Sequence, residues 1–245
     1  MRLTTLLAAT LLTAALSGCS AQWNGRDDGT PGIAASGSGG ERHYPVTGFS
    51  KVALGAAGDV EVRTGQSFGL TVTGDARTLD TVKVTQDDGT LELGRNNGVH
   101  WDGRARIRWL VTMPRIDEAS IGGSGSIGID KVEGGSFQGD IGGSGKIDVA
   151  GMKVDKAGFS IGGSGTITAA GTAKALDLSI GGSGKLHATP LAAETAAVSI
   201  AGAGTVEATV KTHADVTILG SGDVTIAGGA KCSVTKMGGG TVRCG

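Results

Sequence analysis

Large side chains are scarce in this chain. Aromatic residues make up 3 % of its 245 positions, which excludes a conventional globule packed around rings. Charge of one sign is also missing. Loss of residues 1–18 would take Arg2 and no acid, leaving 21 Lys+Arg against 23 Asp+Glu. So even a balance excludes a polyanion such as nucleic acid as the natural partner. After the first apolar run there is no second one long enough to cross a bilayer, and nowhere does a helical period of ten or more residues persist. The four histidines, His43, His100, His187 and His213, are scattered without metal-ligand spacing. No G-x-S-x-G nucleophile elbow occurs.

What the chain has in excess is glycine, 46 residues, far above the usual ~7 %, and very unevenly placed. Before the glycine begins, Met1-Arg2 and the apolar run Leu3 to Leu16 form a signal peptide over residues 1–18: basic start, short apolar core. The run ends in Leu16-Ser17-Gly18-Cys19, which resembles the bacterial lipobox. That resemblance implies lipidation (palmitate) of Cys19, cleavage before it, and a membrane anchor made of lipid alone; Ser20 after the cysteine implies outer-membrane sorting in a Gram-negative cell. Residues 19–43, rich in Gly, Ser, Asp and Pro, read as a lipidated cysteine and flexible tether. After export, Cys232 and Cys244 meet an oxidising compartment, and a disulfide between them is the expectation.

From Tyr44 onward the apolar residues alternate. Ser50–Leu54, Asp59–Arg63, Leu70–Thr73, Thr81–Thr85, Thr90–Leu93 and Arg106–Met113 have the period of two that marks half-buried strands, and Asp88-Gly89 reads as a hairpin turn. Asn96 to Arg104 reads as a polar loop.

A hexapeptide then repeats. Ser120-Ile-Gly-Gly-Ser-Gly125 returns at Asp140–Gly145, Ser160–Gly165 and Ser179–Gly184, and more loosely at Ser199–Gly204 and Thr217–Gly222. With each Ile as position zero (Ile121, Ile141, Ile161, Ile180, Ile200, Ile218), the spacings are 20, 20, 19, 20 and 18. Leu54 to Val60 resembles the unit upstream, and Met237 to Val242 closes the series. Apolar residues fill columns at zero, two before, six after and eight after; polar residues lie between. A unit this short cannot bury a face alone, so units must stack. The predicted fold is all-β: a parallel β-helix (solenoid) with coils of about 20 residues, each rising ~4.8 Å, giving a rod of roughly 30–40 Å. An antiparallel sandwich of hairpins is the competing architecture, and it explains the constant spacing less well.

The corner glycines (Gly122, Gly123, Gly125; Gly142, Gly143, Gly145; Gly162, Gly163, Gly165; Gly181, Gly182, Gly184) invite readings as ligand loops. Gly123 to Gly128 fits G-x-G-x-x-G, but it lies between two strands, not between a strand and a helix. Gly145-Lys146 and Gly184-Lys185 lack the remaining P-loop residues. The calcium-binding nonapeptide needs a carboxylate where Ile127, Ile147, Ile167 and Leu186 stand. The glycines therefore read as structural corners, chosen for positive φ and for close approach of stacked backbone; no cofactor or metal is implied. Candidate functional residues lie instead on outward columns. One position before the Ile stand Ser120, Asp140, Ser160, Ser179, Ser199 and Thr217. On the far side of the corner, Lys146 with Asp148 and Lys185 with His187 are neighbours that a glycan lyase or hydrolase would need to converge.

Phe49-Ser-Lys-Val52, Gly58-Asp-Val-Glu-Val62, Val111-Thr-Met-Pro114 and the serial I-G-G-S-G units together resemble the GIN domain, a family labelled a putative autotransporter adhesin head. The resemblance covers residues 44–245. It implies a right-handed parallel β-helix and a cell-envelope location, and carries over no catalytic residue. One departure from the family label is that no translocator-barrel pattern follows. The expectation is a non-enzymatic envelope lipoprotein whose outer faces fit a glycan or protein ligand or serve as a spacer; the rival is a polysaccharide lyase or hydrolase on the same scaffold.

Overall fold

A computed structural model of the chain describes residues 31–96 and 107–245. The predicted signal peptide, Cys19 and, apart from Asn96, the loop read at Asn96 to Arg104 lie outside the described residues. The fold is a parallel β-solenoid of coils about 20 residues long, with one continuous apolar interior.

The regular part begins with β8 (Glu118–Ile121) and β9 (Ser126–Ile129), continues through β10 (Val132–Ile141), β11 (Lys146–Ile161), β12 (Thr166–Ile180), β13 (Lys185–Gly202) and β14 (Thr205–Gly220), and ends in β15 (Asp223–Ala227), β16 (Lys231–Met237) and β17 (Thr241–Cys244). Each long strand runs from just past one corner, around the return, to the Ile that opens the next. Neighbouring coils pair in parallel with the repeats in register: Ile121, Ile141, Ile161, Ile180, Ile200 and Ile218 form one stacked column. All six are buried. The column two places earlier shows why one coil carries a glycine there. A Cβ on Gly139 would lie 2.9 Å from Phe159 Cδ1; the edge-on rings of Phe137 and Phe159, 6.1 Å apart, use that space. The unequal coil lengths are absorbed at the return, where the register shifts between Val149 and Met152 and between Thr168 and Gly171. Gly171 takes φ +124° against the Met152 backbone.

The glycine corner behaves differently from expectation in one respect. Gly123, Gly143, Gly163 and Gly182 do not have positive φ in the left-handed region; along this column only Gly202, Gly220 and Gly238 do. Close stacking is what fixes glycine here. A Cβ on Gly143 or Gly163 would collide with the carbonyl oxygen of the glycine one coil below. One on Gly145 would lie 2.7 Å from Ile121 Cγ2 and 2.8 Å from Gly125 O. By contrast, a Cβ on Gly142, Gly162 or Gly181 meets nothing closer than 3.8 Å, and this is the column where Ala201 and Leu219 appear. Stacking is sealed by bonds from Ser144 N to Gly123 O and Ser164 N to Gly143 O, both 3.1 Å.

The first third of the molecule is folded out of order. β2 (Lys51–Leu54) and β3 (Asp59–Thr64) make a coil that lies between two others. On one side it pairs with β8 and β9, on the other with β6 (Thr90–Arg95) and β7 (Arg108–Met113), all in parallel. The chain therefore steps outward after β3 and returns after Pro114. Beyond the β6–β7 coil, antiparallel pairs close the end: β5 (Val82–Asp87) on β6 through an Asp88-Gly89 turn with positive φ at both residues, and β4 (Gly69–Thr73) on β7. α1 (Ala76–Leu79), N-capped by Asp75, connects them. β1 (Glu41–Tyr44) is a further antiparallel strand on β4. Ordered structure thus begins before Tyr44: Ile33 N donates to Val84 O at 2.8 Å, and Ser36 bridges His43, so the later part of the segment read as tether is fastened to the domain.

Candidate functional site

Period-two alternation places every second residue outside, and parallel in-register stacking turns each outward position into a straight column. On the face leading into the corner, Ser120, Asp140, Ser160, Ser179, Ser199, Thr217 and Thr235 stand one above another. Two places earlier runs a second column, Glu118, Gln138, Gly158, Asp177, Ala197 and Asp215. Beside the small Ala197 the surface is hollowed into an open groove of roughly 370 Å³, lined by Gln138, Asp177 and Asp215 and by Ser160, Ser179, Ser199 and Thr217; between them the chain turns Phe159, Leu178 and Val198 inward to the core. A second hollow of roughly 260 Å³ continues it past Gln138 toward Glu118 and Lys51.

Acids outnumber bases on this face. Asp177 pairs across one coil with Lys156 at 2.9 Å, holding that ammonium's pKa above the ordinary lysine value through their hydrogen bond and charge. His213 Nε2 lies 3.1 Å from Asp215. Half-buried Asp140 accepts a 3.0 Å bond from Gln138 Nε2; burial pushes its carboxyl above the usual range, and the Gln138 bond pulls part of the way back. Backbone donors and acceptors of the face are consumed by the ladders between coils, so a ligand here meets side chains: hydroxyls that both donate and accept, and carboxylates that accept.

The predicted residues beyond the corner do not converge. Lys146 binds its own strand neighbour Asp148 at 2.7 Å. His187 Nδ1 binds Glu207 on the next coil at 2.9 Å. Asp148 and His187 share a column but with Thr168 between them, two coils or roughly 9.6 Å apart by the strand spacing, and both are substantially exposed. Among the described residues no group of three His, Cys, Asp or Glu could hold a metal, and no helix is long and apolar enough to cross a membrane. Cys232 and Cys244 are joined. Sequence reasoning finds the Ser column but misses the Glu118-to-Asp215 column and the Lys156–Asp177 pair. Both follow once the period is added: Asp177 lies one repeat after Lys156, displaced by one column.

Comparison with known proteins agrees with this architecture. Residues 48–230 match the family described as "Putative auto-transporter adhesin, head GIN domain", and the chain belongs to that family. Among solved structures it is similar to a putative adhesin from Bacteroides fragilis (23 % identity, TM-score 0.78, covering 83 % of this chain and 95 % of that one). It is likewise similar to a putative lipid binding protein from Parabacteroides distasonis (21 %, 0.67, 86 % and 98 %) and to a putative adhesin from Parabacteroides merdae (21 %, 0.67, 86 % and 100 %). At these identities the likeness establishes the fold. Among curated proteins nothing matches.

Proposed function

We propose that this is an exported, envelope-anchored binding protein: lipid on Cys19 holds it to the membrane, and the β-helix presents the groove on its Ser/Asp face to an external, polyhydroxylated ligand of the glycan class. The observation that carries the reading is the groove itself, an axial hollow walled by stacked hydroxyls and carboxylates. Membership of a family described as adhesin heads supports a binding role. The excess of acids favours neutral or amine-bearing glycans over acidic ones. Scattered, exposed ion pairs beyond the corner support a non-enzymatic surface, because catalysis needs acid and base converged on one bond.

The test is a glycan-array screen of the purified protein beside two variants. Ala197→Arg fills the groove; His187→Ala alters the strand beyond the corner and serves as the control. Binding to neutral or amine-bearing glycans, lost in Ala197→Arg and kept in His187→Ala, is expected. Release of new reducing ends from a bound polysaccharide, abolished by His187→Ala, would instead establish the lyase or hydrolase. Mass spectrometry of the mature N-terminus should find acylated Cys19; an unmodified cysteine or cleavage elsewhere overturns the anchor.

A further inference from the structure

The last coil departs from the repeat where the repeat is otherwise strictest. β16 and β17 each pair with the coil beneath, β14 and β15. In that register Cys232 stands over Ala214, Val234 over Val216, and Lys236 over Ile218. An ammonium-bearing side chain therefore occupies the inward column that holds Ile in the six coils from Ile121 to Ile218. Lys236 Nζ donates to Gly240 O at 2.8 Å, the carbonyl of its own corner. Cys232 and Cys244 occupy inward columns on opposite halves of the coil, continuing Ala214 and Ile226, and their disulfide ties the halves together across the interior. Beneath this coil Ala214, Val216, Ile218, Val224 and Ile226 are fully buried, whereas Val234 is 47 % exposed.

We propose that this terminal coil is an end stop, which covers the apolar interior and keeps a second copy of the chain from stacking on the open sheet edge, with Lys236 as the deciding residue. A solenoid end is the place where identical coils can add. The first end is closed by antiparallel strands that break the repeat. At the second end the backbone remains that of a regular coil, so the barrier must come from side chains. A copy stacked there would enclose Lys236 among Val234, Val242 and their counterparts. That removes an ammonium from water without a counter-charge, which is strongly unfavourable. In the single copy the charge stays at the rim, where the corner carbonyl accepts its hydrogen bond.

Sedimentation of the full chain over a range of concentrations tests this. Lys236→Ile should increase self-association at least about tenfold over the unaltered protein; Lys236→Arg, which keeps the charge, should not. Adding Val234→Lys to Lys236→Ile should restore the unaltered behaviour, because it places a charge one column away on the same edge. Lys236→Met serves in place of Lys236→Ile if circular dichroism shows the latter unfolded. An apolar variant that folds without gaining self-association overturns the proposal, as does association that Val234→Lys leaves unchanged.

Discussion

The two parts of this molecule use the same interior by different rules. From Glu118 onward, order in the chain is order in space, and each coil lies on the one before it. Between Glu41 and Met113 the chain lays down a coil, leaves it, builds an antiparallel end on its far side, and comes back. The regular part is held by equivalence: columns of similar residues, recurring corners, glycines whose Cβ would strike the coil below. The irregular part is held by individual contacts, such as Trp109 packed in full burial, Phe49 against Phe68 at 5.1 Å, and Asp130, which accepts bonds from the Thr64 backbone and hydroxyl at 3.0 and 3.1 Å across the junction. A repeat can be extended without limit; on one side of this stack the antiparallel strands stop it.

The largest effects should come from removing a core ring on either side of the boundary. Trp109→Ala in the irregular part and Phe159→Ala in the regular part should each cost about 3–5 kcal/mol. Urea unfolding followed by both circular dichroism and amide exchange would show one shared transition if the parts fold as a unit. Two separated transitions would make them independent. Next comes the corner. Gly163→Ala should cost about 1–3 kcal/mol, as overpacking against fixed backbone does, while its neighbour Gly162→Ala, with ordinary contact space, should be close to neutral. Equal losses at the two positions would refute close stacking as the reason for glycine.

Replacing Cys232 and Cys244 by Ser should cost about 3 kcal/mol on loop-entropy grounds for a closed loop of this length. The accompanying loss of amide-exchange protection should be confined to residues 231–245 and should leave β2 and β3 untouched. The smallest effect is electrostatic. Asp140 has a raised pKa in the fold, so the native state holds its proton more readily than the unfolded chain. Stability therefore falls as pH rises from the ordinary carboxylate value through the raised one, and the penalty is fully present above it. Asp140→Asn should remove that slope and slightly raise the melting temperature at neutral pH; an unchanged pH profile would show that burial of this carboxyl is without consequence.

Much of the regular part is legible in the residues alone. Constant spacing of Ile and of the glycine pair demands stacking, and alternation assigns inward and outward faces. At the corner, positive φ accounts for few of the glycines and close approach of the coil below for most: sequence identifies glycine without saying which of its two freedoms is in use. The closing motif, Met237 to Val242, is one residue shorter than the upstream unit Leu54 to Val60. Aligned by its glycines, Met237 takes the place of Leu219, and the inward position belongs to Lys236. A search for apolar columns passes over that register because the residue which matters is the one that violates the column.

Sequence alone determined the repeat, its faces and its all-β character, because a 20-residue unit with alternating polarity has few ways to hide its apolar side. Only the tertiary structure decided that the coil at Lys51 lies inside the stack, that antiparallel strands close one end, and that a groove opens beside the serines. Each of these depends on which segments become neighbours across the stack, and local alternation carries no record of that.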